Sequence, residues 1–162
     1  GVDDFITVPH AAWHETSDGF TVATFVRVGD VPLDFRSIVA KPVGLLSDNT
    51  WELYFQAQLL HFGMSSGGAY AEVEVPWEVA PEQWVHLAGT WDGALLTLWI
   101  DGQEVGTTES PAFEFDEQPI FVGADDDHAE TGPEGFFAGG IDDVRLYRRA
   151  LAADEIAALA AG

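Results

Sequence analysis

An all-β fold, a sandwich or a barrel, is predicted by three observations: many short apolar runs, turn chemistry between them, and one segment that reads as a meander. The third is the most specific. Trp84 to Val105 runs W-V-H-L-A-G-T-W-D-G-A-L-L-T-L-W-I-D-G-Q-E-V, and Asp92-Gly93 and Asp101-Gly102 cut it into three apolar runs. Asp-Gly between apolar runs signals a tight type I′ hairpin, because glycine supplies the positive φ that such a turn demands. The segment is therefore expected as three antiparallel strands.

The other strands can be read in chain order. Phe5–Val8 opens the chain, and Ser17-Asp18-Gly19 sets off the next strand, Phe20–Arg27. Gly29-Asp30 precedes Ser37–Lys41, and Ser47-Asp48-Asn49 precedes Trp51–Gln56. Leu59–Met64 and Tyr70–Val75 are parted by Ser65-Ser66-Gly67-Gly68. After the meander come Ile120–Gly123 and Phe137–Tyr147. Leu95–Ile100 is apolar on both parities, so a central strand covered on both faces is expected there. Only Leu151–Ala161 reads as helix: it is alanine-rich, carries Asp154 and Glu155 in its first turn, and can share Leu151, Ile156 and Leu159 on one face. So short a helix needs docking, and one end of the sandwich is the expected place.

The 162 residues are enough for one domain with a real core, expected over residues 1–162 without an internal boundary. The chain has no initiator Met and no leader pattern, so it reads as a piece of a larger protein. No apolar run approaches the ~20 residues of a membrane span. Without cysteine there are no disulfides, thiol nucleophiles or thiolate metal sites. Twenty-eight acids against six bases give a net charge of −22, which repels nucleic acid and anionic lipid and disfavours sulfated glycans. Most of these acids read as a hydrated surface, with divalent cation binding as the sharper use. Lys41, the only lysine, reads as part of that compositional bias.

Several segments then carry a resemblance. Phe137-x-Gly-x-Ile141-Asp142-Asp143-Val144-Arg145-Leu146-Tyr147, followed by Arg149-Ala-Leu-x-x-x-Glu155-Ile156-x-x-Leu159, is similar to the C-terminal signature of laminin-G-like, concanavalin A-like domains. Gly1 to Pro9, Phe20 to Val26, the Trp84 to Gly93 motif with Trp99-Ile-Asp-Gly102, and Ile120 to Ala124 resemble that family's other strands in the same order. The resemblance implies two curved antiparallel sheets in a jelly-roll sandwich with a short C-terminal helix. It also implies a secreted or surface-attached module that binds a glycan or an extracellular protein, often near calcium. The oligomeric state is not legible.

Calcium wants six to eight oxygens. Asp3-Asp4 precedes the first strand and Asp142-Asp143 begins the last, and the resemblance makes those strands neighbours, so the four carboxylates are the expected ligands. By alternation Asp142 falls with Val144 and Leu146 on the apolar side, where a carboxylate needs a cation or several N–H donors. The competing reading gives Asp143 to Arg145. A second acidic group, Asp125, Asp126 and Asp127, lies in the loop where laminin-type members build part of a rim calcium site; Ser65–Tyr70 lacks the acid that usually completes it, which favours a solvated loop. Glu114-Phe-Asp116-Glu117 looks close to a glucanase acid pair, but Glu117 falls off the shared face and prolines flank the run. No catalytic residue is assigned. His86 reads as a core histidine. For sugar stacking the candidates are Trp13, Tyr70 and Trp77 at loops or strand ends, while Trp84, Trp91 and Trp99 read as core. The sequence thus points to a non-catalytic carbohydrate-binding or adhesion module with structural calcium. A structural or protein-interaction module comes second and a glycoside hydrolase third.

Overall fold

A computed structural model of the chain describes residues 3–43, 49–66, 68–110, 114–126 and 132–162. Its strands are β1 (Ile6–Val8), β2 (Phe20–Val28), β3 (Arg36–Pro42), β4 (Asn49–Gln56), β5 (Leu59–Ser66), β6 (Ala69–Pro76), β7 (Trp84–Trp91), β8 (Leu95–Ile100), β9 (Gln103–Glu109), β10 (Ile120–Val122) and β11 (Gly139–Tyr147). They form a six-stranded sheet, β1-β10-β3-β4-β5-β6, and a five-stranded sheet, β11-β2-β7-β8-β9, with every pairing antiparallel. This is the expected jelly-roll sandwich.

Strand alternation builds the core. β4 turns Trp51, Leu53 and Phe55 inward and β5 adds Leu60, Phe62 and Met64. The opposite sheet answers with Val22 and Val26 of β2, Val85, Leu87 and Trp91 of β7, and Leu96 and Leu98 of β8. At the centre Gly89 has no side chain because the Phe62 ring from the other sheet takes its place: a Cβ there would lie 2.4 Å from that ring.

The meander forms as read, with one difference in its turns. Asp101 and Gly102 both adopt positive φ (47° and 77°), the type I′ pattern, and the Asp101 carboxylate accepts the His86 N–H at 2.9 Å. The first turn instead spans Asp92-Gly93-Ala94; Asp92 Oδ1 accepts the N–H groups of Ala94 and Leu95 at 3.0 and 2.8 Å. An Asp side chain that bonds its own following backbone favours this longer loop. A third tight turn carries no sequence signal: Ala57 and Gln58, joining β4 to β5, sit at φ 52° and 66°. Their N–H groups donate to Leu33 O and Pro32 O at 2.9 and 3.1 Å, which holds the chain in this conformation.

The helix α1 (Ala153–Ala160) does not plug the end of the sandwich. It lies on the outer face of the five-stranded sheet, where Leu151 and Ile156 pack with Ala23, Ala88 and Trp99. That explains why β8 is apolar on both sides: Leu96 and Leu98 serve the core, and Trp99 serves the helix. Thr21 ties the approach to the helix, donating to Arg149 O and accepting the Leu151 N–H, both at 2.9 Å. Glu155 accepts two bonds from Arg149 at 2.6 Å and the Ala152 N–H at 3.0 Å, and the Arg149 bonds draw its carboxyl down to about 2. No helix of the described residues is long and apolar enough to cross a membrane.

Lys41 is not a compositional leftover. It is 0% exposed, and its ammonium donates to Asp116 Oδ1 and Asp116 O at 3.1 Å and to Pro42 O at 3.2 Å. Burial pulls this ammonium below its usual range, and Asp116 opposes the shift. The acidic run Glu114–Glu117 is thereby accounted for: Glu114 O accepts the Thr50 hydroxyl, and Asp116 is the lysine's counterion.

Candidate functional site

The calcium candidates come first. β1 and β11 are not paired; they are the edge strands of opposite sheets and border one cleft of about 600 Å³. Asp4, Asp142 and Asp143 stand on its rim, so the expected convergence exists in coarse form. The alternation argument fails. β11 bulges between Asp142 and Arg145, and Asp143 takes positive φ (53°). Two residues then oppose Thr24, whose hydroxyl donates to Asp142 O at 2.9 Å, and the parity resets. Ile141, Val144 and Leu146 pack on the core, while Asp142 and Asp143 are exposed. Asp142 Oδ1 accepts the Asp143 N–H at 2.8 Å, and Asp143 pairs with Arg145 at 2.5 and 2.9 Å. Asp3 is exposed ahead of β1. No three of these four carboxylates come within 4.8 Å of one another.

In the second acidic group Asp125 is not solvated. It is 0% exposed, its backbone pairs with Glu134, and its carboxylate accepts Asn49 Nδ2 at 2.9 Å and the Asp126 N–H at 2.9 Å. Asp127 lies outside the described residues.

Of the aromatic candidates, Trp77 covers the core, meeting Phe55 edge-on at 5.0 Å. Trp13 is half exposed on the rim of the β1–β11 cleft, which is otherwise lined mainly by Phe5, Ile6, Val8, Phe137 and other apolar groups. Trp84, read as core, is 44% exposed on the outer face of the five-stranded sheet with the Arg27 guanidinium 5.4 Å from its ring centre. Tyr70 is 57% exposed and belongs to a constellation that the sequence did not reveal.

That constellation occupies the outer face of the six-stranded sheet. Register places Ala40, Glu52, Gly63 and Glu72 in one row across β3, β4, β5 and β6, and Ser37, Tyr54, His61 and Glu74 in the next. Gly63 leaves the space that the Tyr70 phenol fills; a Cβ there would lie 2.6 Å from the hydroxyl. The Tyr70 and Tyr54 hydroxyls are 2.9 Å apart, and Tyr54 donates to Glu72. His61 stacks on Tyr54 at 4.5 Å and reaches Glu72 through Nδ1 at 2.5 Å. Burial alone raises the Glu72 carboxyl, but the bonds from His61 and Tyr54 outweigh it and hold the group below its usual range. His61 is likewise lowered by burial and raised, on balance, by Glu72 and the Gln56 carbonyl. Burial, then Glu72, keeps the Tyr54 phenol protonated.

Beside this network Asn49 Nδ2 donates to Glu52 at 3.2 Å and to Asp125, so one amide joins two buried carboxylates. A hollow of about 200 Å³ opens over both groups, bounded by Phe35, Gln56, Ser65 and Tyr70. The arrangement offers carboxylate, amide and phenol groups to a polar ligand and one ring face to an apolar one.

The fold has known counterparts. The binding domain of Paraclostridial Mosquitocidal Protein 1 superposes with a TM-score of 0.75 at 16% identity, over 96% of this chain and 40% of that one. Botulinum neurotoxin type C, whose cell entry is described as dependent upon interaction with two ganglioside molecules, gives 0.73 at 12% identity over 97% and 39%. A heptameric pentraxin from Limulus polyphemus gives 0.69 at 18% identity over 95% and 72%. The chain thus spans about 40% of the toxin binding domains it matches. Comparison with curated proteins gives no match. Residues 1–157 match the sequence pattern of the concanavalin A-like lectin/glucanases superfamily, and the chain belongs to that superfamily.

Proposed function

We propose that this chain is a non-catalytic carbohydrate-binding module, acting outside the cell or at its surface, and that it binds neutral glycans in the hollow over β4, β5 and β6. The observation that carries this reading is the half-exposed Tyr70 ring, fixed by its hydroxyl against Tyr54, beside a hollow floored with polar groups. A ring immobilised before binding loses little freedom when a sugar face stacks on it. Glu52 and Asn49, which line the hollow, suit sugar hydroxyls, which donate and accept. The carboxylates argue for neutral sugars, since an anionic glycan meets like charge. The kinship with binding domains supports the same class.

The test is a screen of neutral oligosaccharides by calorimetry and glycan array, with Tyr70→Ala and Gln56→Ala as site variants. Binding that Tyr70→Ala reduces tenfold or more is expected. Binding unaffected by either variant, or none at all, refutes this site. The apolar β1–β11 cleft, with Phe5, Ile6 and Trp13 exposed along it, favours the second reading, a protein contact.

A further inference from the structure

We propose that His61, Glu72 and Glu74 form a binding site for a divalent transition metal of the zinc type on the outer face of the six-stranded sheet. His61 stands opposite Glu74 in the β5–β6 register, and Glu72 lies one pleat along, so alternation aims all three side chains to the same side. Their ligand atoms all lie within 4.8 Å of one another, the sole such trio of metal-binding groups among the described residues. His61 Nδ1 is 2.5 Å from Glu72 Oε1 and 4.0 Å from Glu74 Oε2. A tetrahedral ion with bonds of about 2.0–2.2 Å sets its ligand atoms about 3.3 Å apart. The two observed distances from the histidine bracket that value.

The histidine's other nitrogen supplies an independent argument. Nε2 lies 3.1 Å from the Gln56 carbonyl oxygen, which only accepts, so Nε2 carries hydrogen. Nδ1 is then the nitrogen that faces the two carboxylates: it donates a proton to Glu72, and a metal that displaces this proton takes the Nδ1 lone pair. Negative groups in that position call for a cation between them, a proton or a metal. A histidine whose far N–H is fixed on a backbone carbonyl is also the arrangement that orients a metal ligand. Tyr54 completes the support, stacking on the ring and donating to Glu72. Imidazole with two carboxylates selects zinc, nickel or cobalt over calcium and magnesium. Glu74 is mostly exposed, which gives an ion access and leaves a coordination position to water. This site does not rest on the glycan reading; the metal itself is the probe.

Zinc is titrated into the full chain at pH 7.5 by calorimetry, and cobalt is followed by its visible absorption. One saturable site is expected, with cobalt bands that zinc abolishes and millimolar calcium does not. His61→Gln should abolish the site and Glu74→Gln should weaken it about tenfold, while Glu78→Gln, an exposed acid outside the trio, leaves it intact. No saturable binding, competition by calcium, or binding that His61→Gln leaves unchanged overturns the proposal, the last because it marks loose capture by surface carboxylates. His61 packs on Tyr54, so a melt checks that variant's fold. If it unfolds, Glu74→Gln decides alone, and unchanged affinity there also overturns the site.

Discussion

Replacing Asp116 with Asn keeps the shape and the oxygen acceptor beside Lys41 but removes the negative charge. Lys41 then holds a fully buried ammonium with three acceptors at 3.1–3.2 Å, none of them charged. Breaking a buried ion pair by removing one partner costs about 3–5 kcal/mol. Here the Asp116 side chain is 31% exposed and two carbonyls remain, so a loss of about 2 kcal/mol is expected for Asp116→Asn. Lys41→Met tests the other direction. It removes the buried charge and fills the space with a side chain of similar length, while Asp116 keeps the Gln118 N–H at 2.9 Å and its access to water. The cost should be about 1 kcal/mol or less. Urea denaturation at pH 7 of both single variants and the double variant measures this. The double variant should resemble Lys41→Met alone, giving a coupling of at least about 1 kcal/mol. If Lys41→Met proves the more damaging single change, or the two losses simply add, the charge of Asp116 is not what makes the buried lysine tolerable.

Local geometry sets three other outcomes. Gln58 is exposed with φ 66° in a tight turn, so Gln58→Gly should stabilise the chain by about 0.5–1 kcal/mol, raising the melting temperature by about 2–3 °C; no rise would show that the turn is relaxed. His86 is buried, its Nδ1 has no hydrogen-bond partner, and burial draws its pKa below the usual 6.5. The unfolded chain therefore takes up its proton first: the contribution is complete above pH 6.5 and is lost as pH falls toward the folded value, at up to about 1.4 kcal/mol per pH unit. His86→Gln should remove that slope, and parallel stability curves for the two proteins between pH 7 and 5 would contradict the reading. Because no three of Asp3, Asp4, Asp142 and Asp143 lie within ligating distance, calcium or a chelator should leave the melting temperature within about 1 °C. A rise of several degrees with calcium would show that these acids do assemble around an ion.

The architecture was legible because turn chemistry and apolar runs are local signals: every strand read from the sequence exists, and their edges move by only a few residues. The site was less so. Simple alternation puts Asp142 on the wrong face because a bulge resets parity and nothing in Ile141-Asp142-Asp143-Val144 announces one. His61, Glu72 and Glu74 look like isolated polar residues along β5 and β6. They meet only through the β5–β6 register, which sets His61 opposite Glu74 and one pleat from Glu72. The buried Lys41 is hidden for the same reason, since its partner is 75 residues away. Glycine at 63 was the one available hint, a strand glycine marking a close approach.

The two rows on the outer face have a consequence for how this surface can change. In β4 and β5, residues 53, 55, 60 and 62 hold the core, while 52, 54, 61 and 63 lie on the outer face. Every second codon along these strands therefore writes the outer face and the codons between write the core. A library confined to positions 56, 70, 72 and 74 would vary the outer surface without touching the core. Inserting or deleting one residue in either strand would exchange the two sets and send charge inward.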